Sequence, residues 1–273
     1  MTTQPSAPSV VWAVYALRFS RVRKTRSDAL LLCPPDRSTE PLDMDYSCWL
    51  LVAGDQHVLV DTGYSPALGA RRGREFLADP VDLVRRLGVA PEAIEDVVLT
   101  HLHYDHAGNI DRFPRATFHL HERELEPASG WHAQEPSIAF AYEAEHVAAL
   151  QQANAEGRVR LVAQGSELRD GIDLVHLPGH TPGHLGVRVR TRRGALMLTG
   201  DAVHVAANLA ERRPFPLYSD LRQTFVDYDR ILQMCQDPTL LVPGHEASVI
   251  ERFPAAGPGL EGLIGCLHED PLW

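Results

Sequence analysis

The segment THLHYDHAGN, residues 100–109, most restricts what this chain can fold into. Six consecutive positions hold three histidines and one aspartate, namely His101, His103, Asp105 and His106. Residues two apart in an extended chain point to one side, so His101 and His103 can face the same ion. Asp105 and His106 follow on the turn and can meet a second ion nearby. Imidazole and carboxylate are ligands of zinc, iron, manganese and cobalt, so the segment predicts metal binding.

Four residues cannot complete two metal sites, so the remaining ligands must come from other segments. Three later segments share one pattern, in which a short apolar strand ends at a ligand-type residue with a glycine within two positions of it. They are GIDLVHLPGH, ALMLTGD and TLLVPGHE, and their strands are predicted to end at His180, Asp201 and His245. Folds place chemistry where rigid strands meet converging loops. The candidate ligands then number seven, and a carboxylate such as Asp201 can bridge two cations.

Periodicity and capping residues predict the surrounding elements. VVWAVYALRF predicts an opening strand, and His57–Val60 predicts another that runs into an Asp-Thr-Gly turn. ADPVDLVRRLGV predicts a helix with Asp79 as its N-cap, and SDLRQTFVDYDRILQMC predicts a long helix capped by Ser219 or Asp220. The buried stripe predicted for the long helix comprises Leu221, Thr224, Phe225, Tyr228, Ile231, Leu232 and Cys235.

Strands and helices alternate irregularly, and no Ser/Gly linker or low-complexity tract divides the chain. We therefore predict a single domain over residues 1–273, of α/β class, or α+β in some schemes, with helices layered over sheets.

Composition and charge exclude several classes of protein. The hydrophobic fraction of 44% and the charged fraction of 23% are those of a globular chain and not of a collagenous or disordered one. The net charge of −10 argues against a nucleic-acid partner. The longest early apolar run is too short for a bilayer, and positive charges follow it, so we expect no membrane and no secretory signal and infer a cytoplasmic location. Four widely spaced cysteines predict free thiols.

The motifs together resemble those of the metallo-β-lactamase superfamily. THLHYDHAGN is similar to its His-x-His-x-Asp-His signature, DTG to its early aspartate turn, and PGHTPGH, TGD and PGHE to its later ligand segments, in the same chain order. The resemblance implies a four-layer αββα sandwich with a dinuclear site at one edge. It implies that His101, His103 and His180 hold one metal, that Asp105, His106 and His245 hold the other, and that Asp201 bridges. It implies two divalent ions, with zinc usual and iron, manganese or cobalt open.

Two further residues are expected beside the ligands. His184 shares PGHTPGH with His180, and the resemblance favours His180 as the ligand and His184 as a supporting residue. Asp61 of the DTG turn is expected either behind a ligand or bonded to its own backbone. The remaining histidines are expected to be ordinary core or surface residues. They are His57, His119, His121, His132, His146, His176 and His268.

The reaction implied by two such cations is hydrolysis. A pair of ions about 3.5 to 4 Å apart lowers the pKa of a shared water towards 7 and so provides a bridging hydroxide. GDAVHVAANLAERR and LGVAPEAIEDVVLTHLHYDHAGN resemble the quorum-quenching N-acyl-homoserine lactonase branch, so the leading interpretation is opening of that lactone ring. Asp105 is the predicted proton shuttle. His204 stands three residues after Asp201, where many such lactonases have a tyrosine, and its N–H can donate to the lactone carbonyl.

Other interpretations stay open at this point. The chain can be a metallo-hydrolase of another ester class, such as other lactones, thioesters or phosphotriesters, or a non-catalytic binding protein on the same scaffold. The expected partner is a small-molecule lactone or ester, and the resemblance leaves a homodimer open. Candidate contacts for an acyl chain are Trp131, Phe140, Tyr142, Phe215 and Tyr218.

Overall fold

A computed structural model describes residues 10–126, 134–163 and 165–273. The strands in these ranges are β1 Ala13–Val22, β2 Met44–Ala53, β3 Gln56–Val60, β4 Glu75–Phe76, β5 Asp96–Val98, β6 Thr117–His121, β7 Val159–Val162, β8 Glu167–Arg169, β9 Ile172–His176, β10 Leu185–Thr191, β11 Gly194–Leu198, β12 Leu241–Val242 and β13 Ile264–Cys266. The α-helices are α1 Arg26–Ala29, α2 Pro66–Arg71, α3 Pro80–Arg86, α4 Pro136–Ala139, α5 Ala144–Ala155, α6 Ala206–Ala210, α7 Leu221–Met234 and α8 Ser248–Arg252.

The strands form two sheets. The larger has the order β13-β1-β2-β3-β5-β6-β7, with β4 paired to β1, and the smaller has the order β12-β11-β10-β9-β8. From β3 to β7 the larger sheet is parallel, while its other pairs are antiparallel. The smaller sheet is antiparallel except for the β11 and β12 pair.

The sheets pack face to face because alternate residues of each strand point to opposite sides. On β2, Trp49 and Leu51 enter the core shared with the smaller sheet, where Val187 and Leu198 meet them. Leu50 of the same strand points to the opposite face.

Helices cover the two outer faces. Val84 of α3 and Leu150 of α5 belong to the core on the outer side of the larger sheet. Tyr228 and Ile231 of α7 pack on the outer side of the smaller sheet with Met197. These layers confirm the predicted αββα sandwich. The extent of one domain over residues 1–273 stays a prediction.

Predicted caps are present at both helices. The Asp79 carboxylate accepts hydrogen bonds from the backbone N–H groups of Val81 and Asp82 at the start of α3. Asp220, and not Ser219, caps α7, because its carboxylate accepts from Gln223 N–H. These bonds satisfy donors that the first helical turn leaves free.

The structure corrects two predictions about element boundaries and faces. The strands end three or four residues before the predicted ligands, at His176, Leu198 and Val242. The intervening turns let side chains from separate strands converge on one point. On α7, Leu232 is exposed and Asp227 is buried instead, because the Asp227 carboxylate accepts a hydrogen bond from a neighbouring loop.

Cys33, Cys48, Cys235 and Cys266 are free thiols, as predicted. Among the helices of the described ranges, none combines the length and apolarity needed to cross a membrane.

Candidate metal centre

The seven predicted ligand side chains come together as two groups that share one carboxylate. The first ligand group is His101, His103, His180 and Asp201, and the second ligand group is Asp105, His106, Asp201 and His245. Within each group the candidate ligand atoms lie within 4.8 Å of one another, and every member is buried. Short loops after four different strands therefore deliver these side chains to one place.

Unpaired polar atoms inside the two groups fit cations. Nε2 of His101, Nε2 of His106 and Oδ1 of Asp201 are buried and have no hydrogen-bond partner in the described parts of the chain. A buried polar atom without a partner is costly, and a bound cation would satisfy all three. Imidazole nitrogens and carboxylate oxygens are donors suited to divalent transition metals. The two groups can therefore hold two divalent metal ions.

Asp61 lies behind both ligand groups. Its carboxylate accepts hydrogen bonds from Thr100 N–H at 2.8 Å, from the Thr100 hydroxyl at 2.9 Å and from His106 Nδ1 at 2.7 Å. The Thr100 oxygen in turn lies 3.1 Å from Nδ1 of His101. Asp61 therefore orients ligands instead of bonding its own backbone. It has a φ of 61°, a left-handed conformation that aspartate adopts more readily than most residues.

Backbone carbonyls orient two other imidazoles. Nδ1 of His245 donates to the carbonyl oxygen of Asp45 at 2.8 Å, and Nδ1 of His180 donates to the carbonyl oxygen of Leu217 at 2.9 Å. Both bonds hold a proton on Nδ1 and direct Nε2 towards the ligand groups.

His184 supports Asp201 from outside the two groups. Its Nε2 accepts a hydrogen bond from the Asp201 backbone N–H at 2.9 Å. The geometry thus places His180 among the candidate ligands and His184 behind the shared carboxylate. The remaining described histidines lie outside both groups, and His132 falls outside the described residues.

Burial and charge set the protonation of the imidazoles. Burial lowers the pKa of His101 and His180 well below the usual 6.5 and lowers the pKa of His103 to about 4. These rings are therefore neutral, which is the form that binds metals. Burial also acts on His245, but the nearby carboxylates, with Asp201 foremost, outweigh it and raise its pKa. Metal binding would displace that proton.

A cavity of about 220 Å³ opens onto the two groups. His103, Asp105, Asp201 and His245 line it. Of the predicted apolar contacts, Phe140 and Phe215 line this cavity. The ring of Tyr142 lies 4.9 Å from the ring of His103. Tyr218 lines a smaller adjoining cavity, and Trp131 falls outside the described residues.

His204 lines the same cavity and contacts the shared carboxylate. Its Nε2 lies 3.1 Å from Oδ2 of Asp201, and its ring stacks on Phe215 with centroids 3.8 Å apart. The imidazole is thus held between an apolar wall and the centre of the site.

The family model of the Metallo-beta-lactamase superfamily matches residues 43–245, a range that includes both ligand groups. The chain belongs to this superfamily. An N-acyl homoserine lactonase of Bacillus sp is 29% identical over 191 residues, which cover 64% of this chain and 71% of the relative. N-acyl homoserine lactonase AiiB of Agrobacterium fabrum (strain C58 / ATCC 33970) is 31% identical over 193 residues, which cover 64% of this chain and 68% of that relative.

Solved structures show the same superfamily fold. A quorum-quenching N-acyl homoserine lactone lactonase superposes with a TM-score of 0.72 at 22% identity, covering 88% of this chain and 94% of the other. AidC, a dizinc quorum-quenching lactonase in complex with a product, superposes with a TM-score of 0.69 at 16% identity. The superposition covers 89% of this chain and 90% of AidC. As a member of this superfamily with both ligand groups complete, the chain is a metal-dependent hydrolase acting on ester bonds.

Sequence reasoning missed two buried carboxyl groups that hold the ligand loops. Asp227 accepts a hydrogen bond from the N–H of Gly179, the residue before His180. Its position at helical spacing from buried neighbours on α7 was an available signal. Glu124 accepts from the N–H groups of Leu102 and Gly183. Nothing in its own segment distinguishes it from a surface glutamate.

Proposed function

We propose that this protein is a quorum-quenching lactonase that opens the lactone ring of N-acyl homoserine lactones with two divalent metal ions, zinc being the usual choice. The observation that carries the proposal is the pair of buried ligand groups joined at Asp201 beneath a cavity. The names of the relatives that match this region support the substrate class.

The ligand roles are part of this proposal. His101, His103 and His180 would hold one ion, Asp105, His106 and His245 the other, and Asp201 would contact both. When bound, the two ions supply Lewis acidity and lower the pKa of water so that a nucleophile exists at neutral pH. Four of the five imidazoles are already held through Nδ1, so little rearrangement of these rings is needed to receive an ion. They are His101, His106, His180 and His245.

Other side chains would act on the substrate. Lactone opening breaks the ring C–O bond, and the departing ring oxygen must gain a proton. Asp105 lines the cavity and would carry that proton. His204 also lines the cavity, and it would donate an N–H to the carbonyl oxygen, where negative charge develops. Phe140 and Phe215 offer an apolar wall that would hold the acyl chain and exclude water.

A substrate panel with metal-loaded protein tests the proposal. We expect N-hexanoyl-homoserine lactone to be cleaved faster than a simple lactone, a thioester, a phosphotriester or a β-lactam, with one acid equivalent released for each ring opened. His101→Ala should abolish turnover and lower the bound metal, whereas His57→Ala, outside both groups, should change neither.

Three results would contradict parts of the proposal. Full activity in His101→Ala would contradict the assignment of His101 as a metal ligand needed for catalysis. A clear preference for a thioester or phosphotriester would replace the lactone assignment. Tight lactone binding without turnover would make the protein a binding module.

A further inference from the structure

Arg74 is a half-buried guanidinium that lines the cavity without an acidic partner. Its Nε donates to the Tyr104 hydroxyl at 3.2 Å, while its two terminal nitrogens donate to nothing in the described ranges. No carboxylate of those ranges lies within 4.0 Å of it. A partly buried charge normally has a counter-charge, so the arrangement indicates that a ligand supplies one.

Neighbouring arginines show that acidic partners are locally abundant. Glu75, the next residue in the chain, pairs with Arg21 at 2.8 Å. Arg72, two residues earlier, pairs with Glu143 at 2.7 Å. Both carboxylates are thus committed elsewhere, and Arg74 is left facing the cavity.

The position of Arg74 separates it from the reacting atoms. Its guanidinium carbon lies 5.7 Å from the centre of the Tyr46 ring, and that ring lies 5.0 Å from the ring of His245. Arg74 is therefore one aromatic ring away from the second ligand group. At that distance it would contact a part of the substrate other than the carbonyl that is attacked.

The charge of the cavity favours an anion. Lys24 lines it together with Arg74. Among its described lining residues the acids are Asp105 and Asp201, which both belong to the ligand groups. Two bound dications would more than offset these two carboxylates, so the cavity would be strongly positive although the whole chain carries a net charge of −10.

We propose that Arg74 is a specificity-determining residue that binds an anionic group of the substrate, a carboxylate or a phosphate, located on the acyl side away from the ester bond that is cut. The inference rests on the proposed function and adds a substrate class to it. A guanidinium presents its N–H donors in a fixed fork that matches the oxygens of a carboxylate or a phosphate. The ammonium group of a lysine has no such fixed geometry.

A pair of lactones that differ only at the chain end tests this. N-hexanoyl-homoserine lactone and N-adipoyl-homoserine lactone have acyl chains of equal length, and only the second ends in a carboxylate. We expect the wild-type protein to favour the adipoyl lactone by about tenfold in kcat/KM, mostly through KM. A third lactone whose chain ends in a phosphate ester distinguishes the two anions.

Variants assign the preference to Arg74. In Arg74→Gln the ratio of the two kcat/KM values should fall to about one, and Arg74→Lys should recover part of it. Arg23→Gln, an exposed arginine that does not line the cavity, should keep the wild-type ratio. Equal rates on both lactones in the wild type, or equal slowing of both in Arg74→Gln, would overturn the proposal.

Binding measurements separate this inference from the proposed function. Titration calorimetry should show ring-opened N-adipoyl-homoserine binding to metal-loaded protein about tenfold more tightly than its hexanoyl counterpart, with the difference lost in Arg74→Gln. If neither lactone is cleaved, the lactonase proposal fails, and the same calorimetry with adipamate and hexanamide, of which only adipamate carries a carboxylate, still decides the role of Arg74. Equal affinity for adipamate and hexanamide would contradict that role.

Discussion

Nδ1 of His106 lies 2.7 Å from Oδ2 of Asp61, and both side chains are buried. A carboxylate only accepts hydrogen bonds, so Nδ1 of the imidazole carries a proton and Nε2 is the nitrogen that faces the second ligand group. The pair therefore determines which nitrogen of His106 is offered to a cation.

Asp61→Asn should weaken metal binding although it leaves all seven candidate ligand side chains in place. The asparagine amide would face Nδ1 of His106 and move the imidazole proton to Nε2, where it blocks coordination. We expect about 10- to 100-fold weaker binding of one of two ions, measured as metal content after dialysis against a competing chelator. Asp111→Asn, at an exposed aspartate, is the control. Retention of both ions at wild-type affinity would show that Asp61 does not set the tautomer.

His204 offers a test of the proposed carbonyl donor. His204→Phe keeps an aromatic ring against Phe215 but removes the N–H, and should lower kcat about 10²- to 10³-fold. His204→Tyr restores a donor and should recover at least about tenfold of that loss. Rates are compared at equal metal content, because Nε2 of His204 also contacts Asp201. Equal activity of the phenylalanine and tyrosine variants would exclude the donor role.

The positions of the candidate ligands could be predicted because the signals are local. THLHYDHAGN carries its spacing within one turn, and each later ligand follows an apolar run beside a glycine. The convergence of His180, Asp201 and His245 follows from strands that end at one edge of the sandwich. The helices were equally accessible, since the α3 cap at Asp79 and most of the buried face of α7 follow from short-range patterns, whereas the αββα layers came from the resemblance.

The orientation of two ligands could not be predicted from the sequence, whereas Asp61 behind His106 was one of two expectations. His245 and His180 are fixed by the carbonyls of Asp45 and Leu217, and a backbone carbonyl has no residue-type signal. The unpaired charge of Arg74 could not be predicted either, because it depends on which carboxylates form ion pairs with other arginines. Such relations arise only from tertiary packing.

Glu124 should make stability depend on pH. Burial raises its pKa to about 7 from the usual 4.5, although three hydrogen bonds oppose the shift. A carboxyl with a raised folded pKa holds its proton more tightly in the folded state. Stability is therefore lost as pH rises from about 4.5 towards 7, by at most about 1.4 kcal/mol for each pH unit. We expect Glu124→Gln to show a flatter dependence in urea unfolding between about pH 5 and about pH 7.

The difference in unfolding free energy between Glu124→Gln and the wild type, taken at each pH, isolates the contribution of the Glu124 carboxyl. Every other titratable residue is present in both proteins. Glu122→Gln, at an exposed glutamate of the same turn, should keep the wild-type slope. Parallel stability curves for Glu124→Gln and the wild type would contradict the raised pKa.

Gly244 allows the loop before His245 to pass close to the shared carboxylate. A Cβ at this position would lie 2.7 Å from the carbonyl oxygen of Gly200 and 2.9 Å from Oδ1 of Asp201. Gly244→Ala must therefore shift either this loop or the segment of Gly200 and Asp201, and we expect weaker binding of both ions and a loss of about 1 to 3 kcal/mol in stability. Metal titration and urea unfolding measure these effects. Gly257→Ala is the control, because its added Cβ would meet no described atom within 4 Å. If Gly244→Ala binds two ions as tightly as the control does, the close approach of this loop is not what positions Asp201.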